Sequence, residues 1–264
     1  VDAVFVHAKN TAVTTSLVGN DTTTTAGAVE VNAAATADIS ANALAKNAGG
    51  SGVGIAVAVN ESTTTTTATL GGNVTADDGN VTVKATTDIT KNNTGADAAT
   101  LGNPNTISAR ITNFQAGIKR NVTKGIIDAT GLLKPETSER ITGFIFPGIK
   151  EGTFNLSGAV TYSKSVNTTT AAIAPNATVQ AQGNIDVTAR IDDRPNASVG
   201  SKATSTGTAI GGAAVIADFT NNAGASIGTG ASVDATGSLL VDAQTVVPYP
   251  WQIDWDSPVT ILNH

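Results

Sequence analysis

The sequence predicts an all-β protein built as a parallel β-helix, and two observations support this fold class. A glycine is followed by the same alternation of residues four times, at Gly27, Gly79, Gly183 and Gly237. Apolar residues stand two, four and six places after each of these marker glycines, and the residues between them are mostly polar. A period of two lets a strand bury one face and wet the other, and its repetition together with a turn indicates stacked layers.

Composition fits an elongated repeat array and excludes several classes of protein. The chain has 264 residues with only 4% aromatic and 14% charged residues, which suits a narrow core of small side chains. Its net charge of −6 argues against nucleic-acid binding. The chain has no cysteine, so disulfides and thiolate metal sites are excluded. No apolar run is long enough to predict a membrane span.

The remaining strands of each repeat are read from the residues before its marker glycine. A turn and a short Val-x-Ala strand precede the marker strand, and another alternating strand lies further upstream, most clearly from Val53 to Val59. We expect Val, Ile, Leu and Ala to point inward and Thr and Asn outward. About four short strands per repeat would make two turns of roughly 22–27 residues each, giving about eight coils and a rod on the order of 40 Å.

The spacing of the marker glycines predicts an insertion. The intervals are 52, 104 and 54 residues, so the middle one is twice the others. A degenerate repeat would place Pro135 at an inward strand position, where it cannot donate to a ladder, and we therefore favour an insertion. The predicted organisation is solenoid coils in 1–98, an insertion in 99–152, and coils again in 153–247.

The insertion has a different character from the coils. Residues 105–152 carry seven basic and four acidic side chains, a net +3, whereas the rest of the chain carries −9. Apolar residues there recur every three or four positions, as on an amphipathic helix: Ile107, Ile111, Phe114, Ile118 and Val122. Pro135 followed by Glu136 fits the start of a second, short helix. We predict a partly α-helical excursion that packs on the side of the solenoid.

Both ends of the chain differ from the repeats. Residues 248–264 hold two closely spaced prolines, Pro248 and Pro250, and both tryptophans, which predicts a cap or a linker to a next module. Val1 opens the chain without a signal sequence, and we expect the chain to be a segment of a longer polypeptide.

Residue types that catalyse reactions or bind metals are scarce. His7 and His264 are the only histidines, so a Ser-His-Asp arrangement or a histidine metal site is not expected. Adjacent residues of a strand face opposite ways, so neither Asp77-Asp78 nor Asp192-Asp193 forms a catalytic dyad by itself. Calcium held by turn aspartates is a further possibility, but the nonapeptide of calcium-binding rolls is missing. We predict no enzyme, no cofactor and no metal.

The threonine runs at 22–25 and 63–67 raise the possibility of an ice-binding face. Such a face needs Thr-x-Thr at equivalent positions of many successive coils, and the runs vary between repeats. A solvated β-face, which threonine's branched side chain favours, is the simpler interpretation.

The best local binding candidate is a basic cluster in the insertion, formed by Lys119, Arg120 and Lys124. On a helix, residues 120 and 124 share a face. The cluster has the charge to bind an anionic glycan, a lipid head group or an acidic partner, and internal docking against the acidic coils is the alternative.

Repeat units such as Gly54–Asn60, the threonine-rich stretch after it, and Gly79–Ala85 resemble the repeats of leukotoxin-type, filamentous-haemagglutinin-like surface proteins of Gram-negative bacteria. The resemblance covers residues 1–98 and 153–247. It implies a right-handed parallel β-helix, export to the cell surface, and a role in adhesion or in an extracellular fibre, with a surface glycan or protein of a host or neighbouring cell as partner. It carries over no catalytic residues.

Exposed end edges of such a coil would also permit end-to-end self-association. The alternative functions are a carbohydrate-active β-helix enzyme and an ice- or crystal-binding solenoid.

Overall fold

The computed structural model describes residues 2–47, 52–101, 154–204 and 208–248, and every regular element in these ranges is a strand. The strands are β1 (Asp2–Val18), β2 (Thr23–Ala26), β3 (Val29–Asn47), β4 (Val53–Leu70), β5 (Asn73–Ala76), β6 (Val81–Leu101), β7 (Phe154–Ile173), β8 (Thr178–Ala181), β9 (Ile185–Thr204), β10 (Thr208–Ile227), β11 (Ser232–Ala235) and β12 (Leu239–Val246).

These strands form three parallel sheets. Sheet 1 has the order β1-β4-β7-β10, sheet 2 has β2-β5-β8-β11 and sheet 3 has β3-β6-β9-β12. Each coil takes one strand from each sheet in chain order, so coil 1 is β1–β3 and coil 4 is β10–β12. Sheets 1 and 3 pack face to face, and the short strands of sheet 2 join them at one end. The protein is therefore a parallel β-helix, as the alternating repeats predict.

The predicted number of strands per repeat is wrong. Each repeat makes one turn of three strands, two long and one of four residues, rather than two turns of four short strands. β4, for example, runs for 18 residues as one strand and does not turn at Asn60, Glu61 and Ser62. At about 3.3 Å per residue such a strand is about 60 Å long, so the four described coils are wide and flat. Their stack rises only about 14 Å from the first coil to the last.

The marker strands stack as predicted. Val29, Val81, Ile185 and Leu239 stand over one another in sheet 3 in direct register. Val31, Val83, Val187 and Val241 form the next aliphatic ladder. In the two middle coils these side chains are fully buried, together with Leu70 and Ile173 from sheet 1. This core lies at the end of the sandwich that sheet 2 closes.

The marker glycines occupy matching corners, and at Gly79, Gly183 and Gly237 the neighbouring coil leaves no room for a side chain. The Gly183 N–H donates to the Gly79 carbonyl at 2.9 Å, and the Gly237 N–H donates to the Gly183 carbonyl at 3.0 Å. Asn80 Oδ1 accepts from the Asn184 N–H at 2.8 Å beside them. A Cβ on Gly183 would lie 2.1 Å from that same Asn80 oxygen. The corner therefore requires glycine for close backbone approach.

The doubled interval is an insertion between two coils. β4 pairs directly with β7, and β6 pairs directly with β9, although residues 102–153 separate the two coils in sequence. β6 runs to Leu101, so 99–101 belong to the solenoid. The helical character predicted for the insertion lies outside the described residues, as does the cap or linker predicted for 248–264 apart from Pro248.

A β-bulge in β6 changes which residues face inward. Ala37 pairs with Ile89 but Asp38 pairs with Lys91, so Thr90 is an extra residue relative to β3. Before the bulge the odd-numbered residues of β6 are buried, and after it the even-numbered ones are. The single added residue therefore exchanges the two faces of the strand.

The expectation that the large aliphatic residues point inward is wrong for the first part of β4. Ala56 and Ala58 face sheet 3, where they pack against alanines of β3 and β6. Ile55, Val57 and Val59 alternate with them and so point outward. The gap between the sheets is filled by alanine at this end, which leaves no space there for larger side chains.

Candidate functional site

The predicted basic cluster, Lys119, Arg120 and Lys124, lies outside the described residues, as does His264. His7 lies on β1, with its Nε2 atom 3.7 Å from Glu61 Oε2. Within the described ranges there is no group of three or more His, Cys, Asp and Glu side chains that could hold a metal ion. No helix in those ranges is long and apolar enough to cross a membrane.

The outer face of sheet 1 has three zones along its strands. The first is an outer apolar stripe, formed by Ile55, Val57, Val59, Leu156, Val160 and Tyr162. The second is a charge row, formed by Lys9, Glu61, Lys164 and Asp218. The third is a threonine field, formed by Thr63, Thr65, Thr67, Thr168 and Thr170.

The charge row alternates in sign across all four coils. Lys9 pairs in register with Glu61, Glu61 with Lys164, and Lys164 with Asp218. Neighbouring strands lie about 4.8 Å apart, so each charge faces one of opposite sign on the next coil. The row borders a shallow pocket of ≈ 260 Å³.

Glu61 and Tyr162, both on the outer face of sheet 1, are buried. Glu61 is only 7% exposed, and no residue in the described ranges forms a hydrogen bond with its Oε1 atom. Burial raises the pKa of the Tyr162 phenol, and the negative charges of Glu61 and Asp218 raise it further. The phenol therefore keeps its proton at neutral pH and remains a hydrogen-bond donor.

The threonine field is too irregular for an ice-binding face. Thr65 and Thr67 of coil 2 are in register with Thr168 and Thr170 of coil 3. Coil 1 has Val13 in the row of Thr65, and coil 4 has an asparagine in the row of Thr168. A regular two-dimensional array of threonines is therefore limited to two coils.

The paired aspartates divide between the two faces of their strand as predicted. Asp192 points outward, with Oδ2 3.3 Å from Arg190 Nη2 and Oδ1 3.8 Å from Arg194 Nε. Asp193 points inward and is fully buried. The other pair, Asp77-Asp78, lies in a turn, where both backbone N–H groups donate to carbonyls of coil 1.

Asp193 is the centre of an interior polar cluster, which also includes Asn60, Asn92, Asn167 and Asn221. Its Oδ2 atom accepts from Asn221 Nδ2 at 3.1 Å and from Asn167 Nδ2 at 3.3 Å, and its Oδ1 atom lies 3.5 Å from Asn92 Nδ2. Desolvation raises the pKa of the Asp193 carboxyl, although these amide hydrogen bonds oppose the rise.

Asp193→Asn is expected to stabilise the protein increasingly as the pH rises. Because the folded pKa lies above the unfolded value, the native state keeps a proton that the unfolded state loses, so the parent loses stability as pH rises from about 4. Asparagine is neutral throughout. Urea unfolding of parent and variant across this pH range checks the trend, and a pH-independent difference contradicts it. Asp192→Asn, on the exposed face, is the control and should change stability by under about 1 kcal/mol.

Sequence reasoning missed both the charge row and the interior polar cluster. The repeat spacing could have revealed the charge row, because its members recur at that spacing: Lys9, Glu61, Lys164 and Asp218. The interior polar cluster has no such signal, because the bulge in β6 shifts Asn92 out of the repeat numbering.

The two carboxylates of the charge row lie on strands that are not neighbours. Glu61 and Asp218 lie on strands two positions apart, about 9.6 Å, with Lys164 between them. No protein-family model, no curated protein and no solved structure matches this chain.

Proposed function

We propose that the chain is a segment of an adhesive rod in a large, secreted bacterial surface protein. The rod would lie outside the cell and either attach it to a surface glycan or protein or build an extracellular fibre. The support is the solenoid fold, together with the resemblance of its repeats to those of filamentous surface adhesins.

The observation that carries this proposal is the open end of coil 4. Leu239 is 50% exposed and Val241 is 42% exposed, whereas Ile185 and Val187, beneath them in the same ladders, are fully buried. β12 also has no hydrogen-bonded strand on its far side among the described residues. A further coil stacked there would bury these side chains and pair this edge.

End-to-end association tests this proposal. We expect the chain to form short rods at increasing concentration, visible in negative-stain images and by sedimentation velocity. Leu239→Glu should prevent this, because it places a charge in the new interface. Lys84→Glu, on the exposed outer face of sheet 3, is the matched control and should still associate. A parent that stays monomeric at every concentration would contradict the proposal.

The basic cluster remains the predicted adhesive site. The chain should bind anionic glycans on an array, and replacing Lys119, Arg120 and Lys124 by alanine should reduce that binding. Charge-assisted contacts to sulfate or carboxylate groups account for the expected loss. Alanine at Lys84 and Lys202 in sheet 3 removes charge elsewhere and serves as the control. Unchanged binding in the cluster variant would refute this assignment.

The described carboxylates give no support to the alternative of a carbohydrate-active enzyme. Asp192 and Asp193 face opposite ways, and Glu61 and Asp218 are separated by a lysine-bearing strand. Binding without turnover is therefore the activity that this surface favours.

A further inference from the structure

Strands β4 and β7 are buried on both faces over their first third. On the inner side, Ala56 and Ala58 pack against sheet 3. On the outer side, the aliphatic residues of the outer apolar stripe, Ile55, Val57, Val59, Leu156 and Val160, are each 2% exposed or less. Two neighbouring layers are needed to bury a strand in this way.

The described strands provide only one of these layers. β4 packs against its sheet neighbours β1 and β7, and against β3 and β6 on the inner side. Among the described residues, the cluster around Ile55, Val57 and Val160 consists of residues from β4, β7 and β10 of sheet 1. Side chains of one sheet cannot remove their own outer surface from water, so the second layer must come from outside the described strands.

The exposure of equivalent residues shows where this second layer lies. Phe5 is the coil 1 partner of Val57 and is 47% exposed. In coil 4, Ala214 pairs with Val160 and Ile216 pairs with Tyr162, and both coil 4 residues are partly buried. Along the strand, burial of the outer face ends at Thr63, which is exposed. The covered area is therefore centred on coils 2 and 3.

We propose that the segment 102–153 packs on the outer apolar stripe. This segment connects β6 of coil 2 to β7 of coil 3, the two coils whose outer faces are most completely buried. It re-enters the solenoid at Phe154, two residues before Leu156 of the stripe. Residues 249–264, in contrast, follow β12 in coil 4, where burial of the stripe is weaker.

The sequence of the segment suits this surface. Its apolar residues at 107, 111, 114, 118 and 122 would present one face of a helix to the stripe.

Thiol accessibility tests the proposal, since the chain contains no cysteine and a single introduced thiol reports one position. In the full chain, Val57→Cys should react with a maleimide roughly 100-fold slower than Thr65→Cys, an outward position of the same strand in the threonine field. Replacing 102–153 by a three-residue link, the length that joins β9 to β10, should bring the two rates together. Equal rates in the full chain, or continued protection of Val57→Cys in the shortened chain, would overturn the proposal.

A photo-cross-link in the full chain gives an answer even if the shortened chain fails to fold. A benzophenone side chain introduced at Val160 should cross-link to peptides from 102–153. The same group introduced at Thr168, in the threonine field of the same strand, should not. Cross-links from position 160 to a second copy of the chain, or to residues 249–264, would instead identify a different cover and rule out the segment.

Discussion

Replacement of Ile185 by alanine is expected to lower the free energy of unfolding by about 2–5 kcal/mol. Ile185 is fully buried and stands in register between Val81 of coil 2 and Leu239 of coil 4. Truncation removes apolar surface from the core and leaves a cavity that the adjoining coils cannot fill. In a stacked array both nearest-neighbour interfaces of coil 3 lose contacts.

Leu239→Ala is the matched control for this prediction. Leu239 occupies the same ladder but is 50% exposed, so its truncation should cost less than about 1.5 kcal/mol. Urea unfolding followed by circular dichroism measures both losses. Equal losses at the two positions would show that the middle coil is no better packed than the end coil.

Replacement of Gly72 by alanine is the second large effect that we expect. Gly72 has φ = 77°, in the left-handed region, and a Cβ there would lie 2.3 Å from the Thr22 carbonyl oxygen of the coil beside it. The strained backbone alone costs about 1–3 kcal/mol. The contact with Thr22 adds to this cost, because the same oxygen accepts a hydrogen bond from the Asn73 N–H at 2.9 Å.

Gly27→Ala separates this effect from a general loss of glycine. A Cβ on Gly27 has no heavy atom within 4 Å. Alanine there should leave stability unchanged or raise it by up to about 1 kcal/mol, because it restricts the unfolded chain. Thermal unfolding of the two variants compares them directly, and similar melting temperatures would contradict the strain and close contact expected at Gly72.

The parts of the fold that the sequence predicts are those governed by local rules. The marker strands alternate with a period of two. Val83 and Val187 are buried, whereas Lys84, the residue after Val83 on β6, is exposed. The insertion follows from an interval of twice the normal length and from Pro135. These signals need only strand geometry and the repeat spacing.

The parts that the sequence did not predict depend on contacts between distant residues. Periodicity does not distinguish two short strands from one long strand, as in β4. It also does not distinguish which face of a strand is inner when both faces are apolar, so Val57 was expected inside. The bulge at Thr90 leaves no mark in the pattern of one strand, because it is defined by the partner strands.

The candidate site was predictable only in part. The opposite orientations of Asp192 and Asp193 follow from strand geometry alone. The charge row needs the register of four coils, and Glu61 is buried because of its place beside the outer apolar stripe rather than its sequence context. The basic cluster at Lys119, Arg120 and Lys124 remains a prediction from sequence.

Disulfide formation between coils tests the central claim, which is that the coils stack in parallel and in register. Thr82 and Asp186 are direct partners on β6 and β9, about 4.8 Å apart, a separation that a disulfide can bridge. The double variant Thr82→Cys/Asp186→Cys should oxidise to an intramolecular disulfide. Thr82→Cys/Thr188→Cys, shifted by two residues to about 8 Å, should not. Oxidation of the shifted pair, or failure of the registered pair, would contradict the stacked solenoid.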